Sequence, residues 1–302
     1  MITESPSTGW KDYELIDSGN FEKLERFGPY IMIRPEPKAL WDRHLSHDKW
    51  KQMAHTLFTQ GAGFSKAGKE ESGVWNMLKR MPEQWVISYG EMKLRLGLTS
   101  FKHVGVFPEQ APNWDYIVSQ INRLKENNFK RSVTDPPRVL NLFAYTGAAS
   151  LAARMAGADV THLDSVKQVI TWARGNMELS GLDNIRWILE DAMKFVQRQV
   201  RRGVTYDGII LDPPAYGRGP DGERWKLDES LYELLKGCAA ILSPMNAFMV
   251  LNLYSNGYSA MLADTLVKCA CGESGRRISG ELILQDNFGR CLPLSVFTRL
   301  ER

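Results

Sequence analysis

The chain has 302 residues, 43% of them apolar and 24% charged, with a formal net charge of +3 and a pI near 8.6. This is ordinary soluble-globular composition with room for one large or two modest domains, and the mild positive charge permits an acidic partner such as RNA without requiring one. No apolar run reaches the roughly 18 residues that span a bilayer, and Met1-Ile-Thr-Glu-Ser-Pro lacks a basic-then-apolar leader pattern, so a cytoplasmic location is expected.

Short alternating stretches at 13–16, 23–27, 30–34, 84–89 and 92–96 read as strands, punctuated by Gly28-Pro29, Pro35, Gly61, Gly63, Gly68 and Gly73. Trp41, Trp50, Trp75 and Trp85 supply bulk for a small core. The expectation is a small, mostly β accessory domain over residues 1–110. Trp114, Ile117, Val118, Ile121 and Leu124 then have helical spacing, which predicts a lead-in helix over 111–128. Residues 130–137 are polar, end in two prolines and read as a linker.

From residue 138 the rhythm becomes strand–helix alternation. Strands at 138–143, 158–163, 185–189, 207–211 and 247–253 precede helices at 147–156, 165–180, 191–202, 228–242 and 258–271. Two closing strands near 277–285 and 292–299 are separated only by Asp286-Asn-Phe-Gly289, which predicts an antiparallel hairpin. The fold class is α/β: residues 111–302 form a mainly parallel, Rossmann-like sheet with helices on both faces.

In such a sheet the ligand lies beyond the carboxyl ends of the strands. Val139-Leu-Asn-Leu-Phe-Ala-Tyr-Thr-Gly147 is a buried strand whose Thr-Gly turn feeds a small-residue helix. Glycine there lets the backbone approach a ligand, and the helix start offers unpaired N–H groups. Asp164 closes the second strand, 17 residues after Gly147, close to the spacing of about 20 at which dinucleotide folds carry their ribose acid. Asp191 follows the third strand, where its carboxylate can accept from an adenine amino group. Both acids also precede helices, where Asp is a favoured cap, and one residue can do both jobs.

Asp212 ends the fourth strand and opens Asp212-Pro-Pro-Ala-Tyr216. A residue before proline is pushed out of helical geometry, and proline donates no N–H. The chain therefore leaves the sheet extended, with carbonyls free to accept, and Tyr216 can stack on a planar ring. This suits an amino-bearing heterocycle held out of its stack.

Asn141-Leu-Phe-Ala-Tyr-Thr-Gly147, Thr161-His-Leu-Asp164, Trp172-Ala-Arg-Gly-Asn176, Glu190-Asp-Ala-Met-Lys-Phe195 and Asp212-Pro-Pro-Ala-Tyr216 together resemble the class I S-adenosylmethionine-dependent methyltransferases. Within that class the chain is most similar to the group containing bacterial 23S ribosomal RNA methyltransferases of the cytosine-C5 and guanine-N7 type, from about residue 103 onward. The resemblance implies a seven-stranded sheet, S-adenosylmethionine as cofactor and RNA, ribosomal in class, as substrate. It implies that Phe143, Thr146 and Gly147 line the methionine end of the cofactor, that Asp164 binds its ribose and that Asp191 takes the adenine amino group. Asn141, Tyr145, Ser165 and Ala192 complete the expected cofactor set. Asp212, beside the transferred methyl, forms the expected catalytic set with Pro213 and Tyr216.

One departure bears on chemistry. Cytosine-C5 methylation needs a thiolate that attacks the ring first, and in C5 members the Cys follows the fifth strand. Here that segment reads Leu251-Asn-Leu-Tyr-Ser-Asn-Gly257, with Ser255 and no thiol, and Asp212-Pro-Pro-Ala-Tyr216 has none. Transfer to nitrogen needs no covalent step, so N-methylation of an RNA base is the expected reaction, guanine N7 being one option. The competing readings are a methyltransferase for a small molecule or protein, and a non-catalytic RNA-binding module on the same fold. A dinucleotide dehydrogenase is disfavoured because no Gly-x-Gly-x-x-Gly follows the first strand.

Arg198, Arg201, Arg202, Arg218, Arg224 and Lys226 are candidate phosphate contacts, the last three within Gly217-Arg-Gly-Pro-Asp-Gly-Glu-Arg-Trp-Lys226, read as a mobile substrate cover. Cys238, Cys269, Cys271 and Cys291 form no Cys-x-x-Cys pair and have no accompanying His cluster. They read as buried, reduced thiols and not as a zinc site.

Overall fold

Period-2 alternation in the N-terminal hundred residues and regular strand–helix alternation afterwards produce two different kinds of sheet. The structure is a computed structural model and describes residues 2–7, 9–61, 72–126, 135–254 and 257–302. It forms two units, one of residues 5–111 and 283–294, the other of residues 1–4, 112–282 and 295–302. Neither unit is a continuous stretch, because residues 1–4 join the later unit and residues 283–294 the earlier one.

After β1 (Ile2–Glu4) come β2 (Tyr13–Gly19), β3 (Glu22–Phe27) and β4 (Tyr30–Pro35), paired antiparallel in sequence order. A short helix α1 (His47–Met53), capped by the Ser46 hydroxyl, leads to β5 (Thr56–Gln60), which lies parallel to β4 and pairs with β6 (Gly73–Met77). β7 (Gln84–Tyr89) and β8 (Met92–Gly97) form a separate hairpin. Helix α1, β5 and β6 add to the expected strands, and Gly63 and Gly68 lie outside the described residues. Trp50 and Trp85 are buried as expected, whereas Trp41 and Trp75 are half-buried. Beneath the sheet Tyr13 donates to Glu25 at 2.8 Å, Arg34 pairs with Glu25 at 2.7 Å, and Lys23 sits 3.4 Å from Glu36. Glu109, in a 3₁₀ turn at Pro108–Gln110, is buried in the same unit, and its Oε1 has no hydrogen-bond partner among the described residues.

The second unit begins with α2 (Ala111–Glu126); residues 127–128 of the expected helix lie outside the described residues, as does most of the expected linker. Then follow β9 (Arg138–Leu142), α3 (Ala148–Met155), β10 (Asp159–Asp164), α4 (Lys167–Leu179), β11 (Ile185–Leu189), α5 (Ala192–Arg202) and β12 (Gly208–Leu211). A small hairpin of β13 (Tyr216–Arg218) and β14 (Arg224–Lys226) precedes α6 (Leu227–Ile241), β15 (Phe248–Tyr254), α7 (Ala260–Cys271), β16 (Arg276–Gln285) and β17 (Cys291–Glu301). The sheet order is β1-β16-β17-β15-β12-β9-β10-β11. β9–β12 and β15 are mutually parallel, and β17 runs antiparallel to β15. Register explains the layers. Leu140, Ile209 and Met249 stand side by side, as do Leu142, Leu211 and Leu251, and all six join the apolar cluster of α5–α7.

The sheet has eight strands and not seven, because β1 adds to its edge parallel to β16. Gly280 permits this: a Cβ there would stand 1.9 Å from the Ile2 carbonyl oxygen. Arg299, buried in β17, then clamps Glu4 at 2.9 and 2.6 Å and also donates to Asn113 of α2. Gly280→Val should therefore expel β1 and break the clamp, lowering unfolding free energy by about 1–3 kcal/mol in urea titrations.

Candidate active site at the strand ends

The strand order reverses between β9 and β12, and the acids fall at the carboxyl ends around that point. Reading across β11, β10, β9 and β12, Asp191, Asp164, the 143–147 turn and Asp212 span three strand spacings, on the order of 15 Å.

The turn after β9 is strained where it meets β10. Phe143 and Tyr145 adopt positive φ of 55° and 49°, and Gly147 has φ of 92°. Left-handed backbone at non-glycine residues costs about 1–2 kcal/mol each, so the surroundings must impose it. They do so through Ala144 N–H to Leu163 O at 3.0 Å and Tyr145 N–H to Asp164 Oδ2 at 2.9 Å. Asn176 of α4 donates to the Thr146 carbonyl at 2.9 Å, and a Cβ at Gly147 would stand 3.0 Å from that of Ala173. The turn is therefore held from both neighbouring elements.

Asp164 receives Tyr145 N–H on Oδ2 and Val166 N–H on Oδ1, both at 2.9 Å. With Ser165 N–H also bearing on it, three backbone donors fix the group, and of its roughly four acceptor sites it keeps room for a ligand donor. Burial raises its pKa, and the backbone N–H groups of Tyr145, Val166 and Ser165 oppose that rise. The cap of α4 is Val166 and not Asp164, so this acid is not consumed by capping. A buried carboxylate fixed in this way suits a ribose hydroxyl. Asp191 does cap: its Oδ1 accepts Lys194 N–H at 2.9 Å at the start of α5, while Ala192 is buried as the first helical residue. Val166 and Leu189 leave apolar surface 43% and 46% exposed at these same strand ends.

Asn141 lies elsewhere. Its amide donates to Ser150 Oγ at 2.9 Å, and that hydroxyl meets His162 Nδ1 at 3.0 Å, a buried chain that joins β9, α3 and β10. His162 Nε2 has no partner among the described residues, and burial pushes the imidazole down to about 3, so it stays neutral.

At the fourth strand, burial raises Asp212 to about 6, opposed by a 2.7 Å hydrogen bond from Asn252 Nδ2. The segment beyond it is less open than expected. Trp225 Nε1 donates to the Pro214 carbonyl at 2.7 Å and Leu227 N–H to that of Ala215 at 3.0 Å, while the Pro213 carbonyl accepts nothing among the described residues. Trp225 also packs on Phe143, ring centroids 4.8 Å apart, and so ties this loop to the turn after β9. Tyr216 remains 54% exposed on β13. Residues 217–226 form a hairpin pinned by a Lys194–Glu223 ion pair, so local pairing orders much of the expected cover. Arg198 is bound to Glu190; Arg201, Arg202, Arg218 and Arg224 are exposed. Asn252 and Trp225 were not among the expected site residues.

The four thiols depart in part from expectation. Cys238 and Cys271 are buried, but Cys269 and Cys291 are exposed, on the outward side of α7 and at the start of β17. No described His/Cys/Asp/Glu cluster can hold a metal ion, and no helix among the described residues is long and apolar enough to cross a membrane. The donor set instead fits an extended nucleoside ligand: a diol acceptor in the middle, an acid and apolar surface on the β11 side, and a close backbone turn with a further acid on the β12 side.

The reversal at β9/β12, the acids beyond it and the antiparallel β17 define the Rossmann-like class I methyltransferase architecture. The family model of S-adenosylmethionine-dependent methyltransferases matches residues 74–263, more than half of the chain, and the chain belongs to that family. A crystal structure of an S-adenosylmethionine-dependent methyltransferase from Agrobacterium tumefaciens is 41% identical, with a TM-score of 0.88, covering 100% of this chain and 93% of that one. The ribosomal RNA large subunit methyltransferase K/L of Shewanella frigidimarina is 34% identical over 235 residues, 73% of this chain and 31% of its own. The ribosomal RNA large subunit methyltransferase I of Klebsiella pneumoniae strain 342 is 37% identical over 90 residues, 29% of this chain and 22% of its own. The chain spans less than half the length of the curated relatives it matches.

Proposed function

We propose that this protein transfers the methyl group of S-adenosylmethionine to a nitrogen of a base in RNA, ribosomal RNA in class, without a covalent thiol intermediate. The carrying observation is the row of acids at adjacent strand ends, with the Asp212–Asn252 pair at the end where no cysteine stands. The names of the curated relatives support ribosomal RNA as the substrate class. When bound, the cofactor supplies a sulfonium-activated methyl group, so alignment of a nitrogen lone pair is the chief demand on the protein.

In this reading Asp164 accepts from the ribose hydroxyls, its carboxylate held in place by the backbone N–H groups around it. Asp191 uses Oδ2 toward the adenine amino group while Oδ1 caps α5, with Ser165 and Ala192 beside them. Phe143, Tyr145, Thr146 and Gly147 form the methionine-side wall, and Asn141 supports that wall from the interior. Asp212 and the Pro213 carbonyl orient the acceptor base, and Tyr216 stacks on it. Arg218 and Arg224 face the RNA backbone from the β13–β14 hairpin.

The test is product identity. The purified enzyme is incubated with labelled cofactor and in vitro transcribed large-subunit ribosomal RNA, which is then digested to nucleosides for mass spectrometry. An N-methylated nucleoside is expected; 5-methylcytidine would refute the reading. Replacing the exposed thiols (Cys269→Ser with Cys291→Ser) should leave kcat within about twofold, because neither acts as a nucleophile.

A further inference from the structure

We infer that Asn252 is the positioning residue for Asp212, holding its carboxylate in one orientation and in its accepting form toward the methyl acceptor. This rests on the reading of Asp212 as the group beside the transferred methyl.

The pairing of β12 with β15 sets Leu211 against Leu251. The next residue along each strand is Asp212 and Asn252, so register alone brings the two side chains to the same place, and the amide reaches Oδ1 at 2.7 Å. Asn252 is 2% exposed within Phe248-Met-Val-Leu-Asn-Leu-Tyr254, where it interrupts an apolar run. A buried amide in such a strand is costly unless its hydrogen bonds are made. They are made only in part: a carboxylate accepts and cannot donate, so Asn252 must present Nδ2, and its Oδ1 is left without a partner among the described residues. An apolar residue of similar volume would avoid that cost. Retaining the amide makes sense if it acts on Asp212. The N–H favours the ionised carboxylate, against the burial that favours the neutral acid. It also limits the carboxylate's rotation about its Cβ–Cγ bond and so fixes which way its oxygens face.

The test compares Asn252→Leu, which keeps the volume and removes the donor, with Asn252→Ser, which keeps a donor. Aspartate labelled with ¹³C at the carboxyl carbon is titrated by NMR, the Asp212 signal being assigned by its loss in Asp212→Asn. In Asn252→Leu the Asp212 midpoint should rise by about one pH unit. Methylation of large-subunit ribosomal RNA transcript should fall about fivefold at pH 6 and much less at pH 8.5, with KM for S-adenosylmethionine unchanged; Asn252→Ser should lie between. An unchanged midpoint and acid limb in Asn252→Leu overturn this inference and leave the function intact. Full activity of Asp212→Asn at every pH overturns the reading of Asp212 on which it rests. Should the transcript prove no substrate, the NMR midpoint decides.

Discussion

Asp164→Ala should abolish most of the thermal stabilisation that S-adenosylmethionine confers. At a concentration a hundredfold above Kd, a ligand that binds only the folded state adds about 2.7 kcal/mol, which for a domain of this size is about 5–10 °C in Tm. In the proposed reading Asp164 supplies the charge-assisted hydrogen bonds to the ribose. Their loss should weaken binding by about a hundredfold or more and reduce the shift almost to zero. Asp164→Asn keeps one acceptor and should fall between. Acid should act in the same direction. Burial raises the Asp164 pKa, and protonation removes an acceptor, so affinity declines as pH falls through that raised value. Differential scanning fluorimetry of the three proteins with and without cofactor checks this. No shift in the wild type removes the cofactor site; an undiminished shift in Asp164→Ala removes Asp164 from it.

Glu109→Gln should make the protein more stable at pH 8 and leave it nearly unchanged at pH 5. Burial raises the Glu109 pKa from 4.5 to about 7, with Glu25 and Glu36 adding to the rise and Lys23 opposing it. For an acid whose folded pKa is raised, the folded state holds the proton more tightly than the unfolded chain. That contribution is fully present below pH 4.5 and is lost as pH climbs through 7. The difference corresponds to about 3 kcal/mol. Glutamine keeps the volume, removes the ionisation and should flatten the profile between pH 5 and 8. Urea unfolding at four pH values tests this, and parallel profiles for wild type and variant would contradict it. A backbone hydrogen bond and Lys23 favour the ionised form, but with Oε1 left unpartnered among the described residues they do not offset the burial.

Much of the site was legible because its signals are local. Apolar runs of strand length ended in Thr-Gly, Asp or Asp-Pro-Pro, and the strands appear within a residue or two of where those signals stop. Position at a strand end is a property of a few consecutive residues, so Asp164, Asp191 and Asp212 could be placed without knowing any neighbour. The orientation of each was not legible. That Asp191 spends one oxygen on Lys194 N–H, or that Trp225 occupies the Pro214 carbonyl, depends on helix geometry and on a ring brought back by the β13–β14 hairpin.

The two units divide in the same way. Strands in consecutive hairpins, such as β2–β3–β4 and β7–β8, announced themselves by alternation, whereas β5, β6 and β1 did not. β5 and β6 have five residues each, and β1 has three residues that become a strand only against Gly280. By itself the sequence determined the α/β class, the strand ends and the residues that stand there, since each follows from local steric and hydrophobic preferences. Tertiary structure decided which of those residues keep an acceptor for a ligand. Only strand register brings Asn252 to Asp212, Tyr145 N–H to Asp164 and Arg299 to Glu4, and register is set by the packing of whole layers.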